Sequence, residues 1–480
     1  MWNKTIKGAK VNNDKYDIVI GLEIHAELAT NTKIFCACQN KFGSAPNTNC
    51  CPVCVGMPGA LPVLNEKAVE YTIKAGLACD CEINDYAVFE RKNYFYPDLS
   101  KAYQISQLVK PICVGGHITL ESGKVVRLNR IHLEEDAGKL VHGMNESFID
   151  YNRGGVPLIE SVTEPDLSSA DEAVEFMQKL RNRFVFSDVA HCRMERGEMR
   201  CDVNLSVKPK GSTEFGTRTE MKNLNSFKSV ARAIEYEANR QIEELEKGNK
   251  IVQETRKWDD DKGISFSMRS KEDSQDYRYF PDPDLLTVKI DREKVEQIKK
   301  SMPLTQEQRI DIYKNKYNLP DKDTNILSSS KLVSDFYDEC VSLLNEPKEI
   351  SNWTMTDVLK NDCSSEMPIT PQNLVSIIKL LLDKKITRNN AKELFEKVIE
   401  TKQDANELAQ KMDMLSSISD QEIKDIVEKL VAENPKAVAD FEKTPDKICM
   451  FFVGNVMKAT RGKADAQLTK QIIMQALQNK

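Results

Sequence analysis

The stretch Tyr16-Asp-Ile-Val-Ile-Gly-Leu-Glu-Ile-His-Ala-Glu-Leu28 decides how the rest of the chain is read. Its even positions (Ile18, Ile20, Leu22, Ile24, Ala26, Leu28) are all apolar, the period of a strand with one buried face. Alternate side chains share a face, so Glu23, His25 and Glu27 emerge together from the other side. Two carboxylates and an imidazole on one strand face suit a divalent metal ion, although a merely solvated strand face is polar too. Two later stretches bear on the choice.

In Ile131-His-Leu-Glu-Glu-Asp136, Glu135 shares parity with Ile131 and Leu133, and in Val156-Pro-Leu-Ile-Glu-Ser-Val162, Glu160 shares parity with Val156, Leu158 and Val162. A carboxylate that continues an apolar face is costly unless it is paired or bound to a cation. Glu23, His25, Glu135 and Glu160 are therefore the expected ligands of one hard cation, nearer to Mg²⁺ or Mn²⁺ than to Zn²⁺.

A second metal signal follows the opening strand directly. Cys36-Ala-Cys38 and Cys51-Pro-Val-Cys54 are two short-spaced thiol pairs separated by a polar loop with Phe42 as its one large apolar residue. Four thiolates close a tetrahedral shell, so Cys36, Cys38, Cys51 and Cys54 are expected to hold a structural Zn²⁺, with Cys50 a spare thiol beside them. Thirteen cysteines cannot all pair internally, which agrees with a reducing compartment.

Length and composition set the frame. A chain of 480 residues should hold two to four domains, and 40% hydrophobic content, 30% charged residues and a net charge of −6 suit an ordinary soluble protein. The start lacks the apolar core of a signal peptide and no apolar run is long enough for a bilayer, so a cytoplasmic protein with no membrane partner is expected. The acidic balance argues against a protein coated with basic charge, DNA is not expected as a partner, and a local basic patch for RNA is left open.

Along the chain, Asn65 can cap a helix with Val69, Ile73 and Leu77 on one face, and Phe89-Glu-Arg-Lys-Asn-Tyr-Phe-Tyr-Pro-Asp98 sets Arg91 and Lys92 among aromatics, where they can neutralise phosphate oxygens. Residues 111–162 are β-rich, with glycine turns. Helices are expected over 168–187, behind a Ser169-Ala-Asp-Glu172 capping box, and over 226–247, stopped by Gly248. Cys201, Val203, Leu205 and Val207 alternate as a strand between them, and Trp258 to Arg269 reads as a hairpin. Near residue 295 strand alternation gives way to helical patterning, and a looser segment from Thr401 to Asp413 suggests a second boundary, hence domains over 1–295, 296–410 and 411–480. Residues 451–480 carry Lys458, Arg461, Lys463, Lys470 and Lys480 against Asp465, a net charge of +4 that suits a phosphate backbone.

The runs Gly21-Leu-Glu-Ile-His25, Arg91-Lys-Asn-Tyr-Phe-Tyr-Pro-Asp98, Ala102-Tyr-Gln-Ile-Ser106, His132-Leu-Glu-Glu-Asp-Ala-Gly-Lys139, Arg200-Cys-Asp202, Lys222-Asn-Leu-Asn-Ser226 and Asp276-Tyr-Arg-Tyr-Phe-Pro-Asp282 resemble those of one family, the B subunits of aspartyl/glutamyl-tRNA amidotransferases. The likeness runs from residue 16 to the end. It implies an α+β fold: a glutamine-synthetase-like cradle, then a helical domain and a small helical tail that contacts tRNA. It also implies a ligase that forms C–N bonds with glutamine as amido donor. In that chemistry ATP with Mg²⁺ phosphorylates the side-chain carboxylate of misacylated Asp-tRNA or Glu-tRNA, and ammonia displaces the phosphate.

By the family pattern the Mg²⁺ ligands fall on Glu23, His25, Glu135 and Glu160, and the zinc knuckle, present in part of the family, on Cys36, Cys38, Cys51 and Cys54. Arg91, Lys92 and Arg153 are candidates for stabilising charge in the transition state, and Lys458, Arg461 and Lys463, in a Gly-containing loop, for contacting tRNA. Two positions depart from the pattern, with Glu90 in place of Asp and Arg196 in place of an acidic residue. No Gly-x-x-x-x-Gly-Lys-Ser/Thr run and no Ser-Ser-Gly-rich amidase signature is present, so ammonia should come from another chain. The resemblance makes that chain the A subunit, an amidase, with a small C subunit completing a heterotrimer. Two other readings are a free-standing amide ligase for a small amino acid, which leaves the basic tail unused, and a zinc-knuckle RNA adaptor, which leaves Glu135 and Glu160 unexplained.

Overall fold

The computed structural model describes residues 14–270, 276–415, 420–439, 441, 444–460, 464 and 466–478. The chain forms two compact units, residues 1–306 and 307–480, the first sheet-rich and the second helical, so the protein is mixed α and β.

The opening strand, Tyr16–Glu27, lies in the middle of a ten-stranded sheet. Its neighbours are Pro157–Thr163 on one side and Met199–Pro209 on the other, both antiparallel. Outward from the first of these follow Val125–Glu135, Cys113–Val114 and Glu82–Ile83, with His117–Thr119 also pairing Val125–Glu135 as the tenth strand; outward from the second follow Thr219–Leu224, Glu254–Asp259 and Ile264–Ser270. From Ile20 onward the even positions are buried as their period requires, with Ile20, Ile24 and Ala26 wholly inaccessible, while Ile18 is half-buried. Among the described residues four helices share a core with this face, in chain order Glu66–Ala78, Ala170–Phe186, Phe227–Glu246 and Arg292–Ser301. Ala173, Met177, Leu180 and Phe184 from the second and Val230, Ile234 and Ala238 from the third are fully or almost fully buried there.

Local signals act as their chemistry dictates, with small shifts. The Asn65 side chain accepts from the amides of Lys67 and Ala68, but the buried stripe of its helix runs through Ala68, Thr72, Ile73 and Ala75, leaving Val69 and Leu77 half-buried. Ser169 Oγ accepts from Glu172 N at 3.2 Å, while the Glu172 carboxylate reaches one residue further back, to Ser168 N at 2.8 Å. Gly248 follows the third helix with φ +81°, a conformation that favours glycine. The strands Glu254–Asp259 and Ile264–Ser270 form the expected hairpin.

The first unit extends past residue 295. Helix Arg292–Ser301 places Val295 and Ile298 in the sheet's own core, and the unit ends at Gln306. The second unit contains two separate apolar clusters, one between Tyr313 and Met414 and one between Ile423 and Leu477. The segment from Thr401 to Asp413 is not loose: it holds helix Ala405–Lys411, whose Ala405, Leu408 and Ala409 are buried in the first of these clusters. Among the described residues no helix is long and apolar enough to cross a membrane.

Candidate active site and metal centres

Pairing decides which polar side chains meet. His25 stands opposite Glu160, and Glu160 stands opposite His132 on the next strand. Residues directly opposite each other share a face, so the polar side of the sheet carries Glu23, His25 and Glu27, then Glu160, then His132 and Glu134. His25 Nε2 lies 3.2 Å from Glu160 Oε2 and 3.6 Å from Glu134 Oε1, and His132 Nε2 lies 3.4 Å from Glu134 Oε2. Ser106 Oγ donates to Glu134 Oε2 at 2.9 Å.

Glu135 does not join this group. It stands opposite Pro157, on the side of Ile159, and its carboxylate takes Lys101 Nζ at 2.5 and 2.6 Å and the amide of Ile105 at 2.9 Å. Parity relative to apolar neighbours selects Glu135 and Glu160 together, yet the two project from opposite faces. Near its end Val125–Glu135 buries both faces, so apolar parity no longer distinguishes them, and it is the Glu134 carboxylate that lies beside His25 and His132.

Electrostatics fit a cation site. Burial disfavours ionising Glu134 and Glu160, but the imidazoles outweigh it and hold both below the usual carboxylate range: His132 by hydrogen bond to Glu134, and by its charge, with His25, on Glu160. Burial likewise pulls His25 down, and the hydrogen bond and charge of Glu160 leave it raised. Glu27 goes the other way: burial, then the charge of Asp136, pushes it to about 7. The donor atoms of His25, Glu134 and Glu160 all lie within 4.8 Å of one another, and a mixed imidazole and carboxylate set suits Mg²⁺ or Mn²⁺.

Glu23 belongs to a second group. Sheet register puts it opposite Asp202, and Glu220 comes in from the strand beyond, all three within 4.8 Å. Asn204 donates to Glu23 at 2.9 Å, and Lys222 bridges Asp202 and Glu220 at 2.5 and 3.0 Å. Burial, followed by the charge of Glu160, raises Glu23. Sequence reading misses Asp202 and Glu220 as neighbours of Glu23. Alternation with Cys201 and Val203 puts Asp202 on the polar side, but the pairing that brings it to Glu23 is a long-range fact.

The phosphate candidates separate. Arg91 is tied to Asp282 and Asp284, each at 2.8 Å, and stacks 4.3 Å from the Tyr103 ring centre. Lys92, next along the strand Glu90–Asn93, sets its ammonium 4.8 Å from the Tyr277 ring centre; burial works against its charge, which the carboxylates of Glu134 and Glu160 and the neighbouring tyrosines favour. Arg153 donates to the carbonyls of Ala137 and Gly138 at 3.0 and 2.9 Å and lies 3.5 Å from Asp136, which also receives Arg200 Nη2 at 2.5 Å. Of the two departures, Glu90 accepts the amides of Leu108 and Val109, and Arg196 lies over the Phe42 ring.

All four clustered sulfurs meet: Cys36, Cys38, Cys51 and Cys54 Sγ lie within 4.8 Å of one another, with Cys36 and Cys51 at 3.3 and 3.7 Å from Cys54. Tetrahedral bonds of about 2.3 Å would place sulfurs about 3.8 Å apart, so the set fits one Zn²⁺. The hydrogen bond from Cys36 outweighs burial and, with Lys33, draws the Cys54 thiol down to about 4. Lys458 is exposed in the last turn of helix Pro445–Ala459 rather than in a loop, and Arg461 and Lys463 lie outside the described residues.

A family model described as the GatB/GatE catalytic domain matches residues 18–296, which marks the sheet-bearing unit as a catalytic domain, and a GatB domain matches residues 335–477. The curated B subunit of an aspartyl/glutamyl-tRNA(Asn/Gln) amidotransferase from Caldicellulosiruptor bescii is 50% identical over 477 residues, 97% of this chain and 99% of the relative. Those of Caldicellulosiruptor saccharolyticus and Thermoanaerobacter pseudethanolicus are 49% and 48% identical, over 97% and 96% of this chain and 99% of each relative. The chain belongs to this family of amidotransferase B subunits.

Proposed function

We propose that this chain is the ATP-using component of a glutamine-dependent tRNA amidotransferase, converting Asp-tRNA(Asn) or Glu-tRNA(Gln) to the amide. The side-chain carboxylate attacks the γ-phosphorus of ATP and releases ADP; ammonia then attacks the acyl carbon and phosphate leaves. The observation that carries this reading is the meeting of His25, Glu134 and Glu160 on one sheet face, in a chain aligned end to end with B subunits.

Such a transfer asks the protein mainly for positioning and charge neutralisation. His25, Glu134 and Glu160 would hold one Mg²⁺, and Glu23, Asp202 and Glu220 a second. Bound there, Mg²⁺ would neutralise the phosphate oxygens. Lys92 is placed to add positive charge beside Glu134 and Glu160. Arg91 and Arg153 act from the edges, Arg91 by bracing the strand Glu90–Asn93 against Asp282 and Arg153 by fixing the Asp136 loop.

The same reading makes the first unit a glutamine-synthetase-like cradle, with a zinc knuckle at the four cysteines. It retains a helical domain and a tRNA-binding tail close to residues 296–410 and 411–480. Its partners are an amidase, the A subunit, that supplies ammonia, a small C subunit and misacylated tRNA, and its compartment is the cytoplasm. Reconstitution with the partner chains tests it: amide formation should require ATP, glutamine and misacylated tRNA together. Equal amidation of free glutamate would instead support the small-substrate ligase.

A further inference from the structure

Lys33 is wholly buried, an unusual place for an ammonium group unless an anion lies against it. Its Nζ donates to Cys54 Sγ at 3.4 Å and to the carbonyl of Tyr151 at 3.2 Å. Cys54 is one of the four sulfurs that face one another in the cysteine cluster, and Tyr151 opens the turn that carries Arg153. One buried side chain thus touches both the cysteine cluster and the turn that carries Arg153.

That turn is held from the same side along its length. Asn47, in the loop between the two cysteine pairs, donates through Nδ2 to the carbonyl of Ile149 at 2.8 Å and accepts from the amide of Tyr151 at 2.8 Å. Asn152 donates to the carbonyl of Ala45 at 2.6 Å and accepts from the amide of Asn49 at 2.8 Å. Beyond the turn, Gly155 adopts φ +80° and its amide donates to the carbonyl of Asp136 at 3.0 Å. Asp136 in turn holds Arg200, which stands opposite His25 in the sheet.

We propose that Lys33 is a positioning residue: through it and the Asn47 clasp, the metal-loaded cysteine cluster fixes the Tyr151–Arg153 turn and with it the Asp136–Arg200 edge of the active site. The cluster then acts on catalysis as well as on folding of its own loop. This rests on the amidotransferase and zinc readings above. Lys33 hydrogen-bonds the cysteine cluster on one side and the turn on the other, and a side chain without its Nζ donors can do neither.

The test uses the reconstituted complex carrying Lys33→Met or Asn47→Ala, the latter at an exposed position of left-handed backbone (φ +56°), so its folded fraction is measured alongside. Metal content, amidation kinetics with ATP and misacylated tRNA, glutaminase activity and the spectrum of Co²⁺-loaded protein are measured. Both variants should retain about one metal per chain and full glutaminase activity, while kcat for amidation falls about tenfold with KM values little changed. In Lys33→Met the sulfur-to-cobalt charge-transfer bands should move to lower energy, because a thiolate relieved of its hydrogen bond is a better electron donor.

Unchanged kcat in Asn47→Ala, or in a folded Lys33→Met protein, overturns the proposal. So does a decrease in kcat that only tracks missing metal or missing folded protein. If Lys33→Met fails to fold, Asn47→Ala alone decides. Absence of ATP-dependent amidation in the wild-type complex would instead mark failure of the functional reading itself.

Discussion

His25 and Glu160 face each other across the pairing of two antiparallel strands, with Nε2 of one 3.2 Å from Oε2 of the other. Everything assigned to the catalytic face follows from that register. It carries Glu134 in with His132, and it leaves Glu135 on the far side with Lys101.

The two adjacent glutamates should therefore behave differently when each is changed to Gln. Glu134→Gln removes a charged ligand donor and should lower ATP-dependent amidation about a hundredfold or more even in the fully folded protein, beyond whatever thermal stability is lost with its buried pairing to His132. Glu135→Gln breaks a buried ion pair with Lys101 and should destabilise the fold by about 3 kcal/mol while the folded fraction keeps much of its activity. Steady-state kinetics and thermal unfolding of both variants check this, and the reverse pattern would restore Glu135 to the site.

Asp202→Asn probes the second acidic group without touching the first. Manganese titration followed by electron paramagnetic resonance should find two sites per wild-type chain and one in the variant, since Glu23 and Glu220 alone make a poor site for a hard cation.

Zinc should be present at about one ion per chain in protein purified under reducing conditions, as elemental analysis would show. Its chelation should expose the loop between Cys38 and Cys51 to proteolysis, because residues Gln39 to Asn49 contain Phe42 as their one large apolar residue and Phe42 is exposed.

For the tail, the packing moves the place to cut. Met414 is buried in the preceding cluster, so truncation should begin at residue 416 rather than 411. The shortened chain should bind misacylated tRNA more weakly, with a salt dependence shallower by about one log–log unit for each phosphate it no longer neutralises. Equal affinities across a salt series would remove the tail from the tRNA interface.

What sequence could and could not yield follows from the range of the forces involved. The opening strand and the helices Ala170–Phe186 and Phe227–Glu246 are written in local periodicity and capping, and they fold within a residue or two of that pattern. The cysteine cluster is readable because spacing alone constrains four thiols. The choice between Glu134 and Glu135 is not local, since it depends on which residue of Val125–Glu135 lies opposite Glu160. Asp202 and Glu220 reach Glu23 only through two further strand pairings. Helix Ala405–Lys411 escapes notice because its buried face is Ala405, Leu408 and Ala409, too small a stripe to stand out among polar neighbours.

The most direct measurement of the proposed chemistry follows the carboxylate oxygens. Glu-tRNA(Gln) labelled with oxygen-18 in its side-chain carboxylate is turned over by the reconstituted complex with ATP and glutamine, and the products are analysed by mass spectrometry. Phosphorylation on the face built by His25, Glu134 and Glu160 predicts ADP and inorganic phosphate carrying one labelled oxygen, both lost in the Glu134→Gln complex. Label in AMP, or phosphate that carries none, would contradict it.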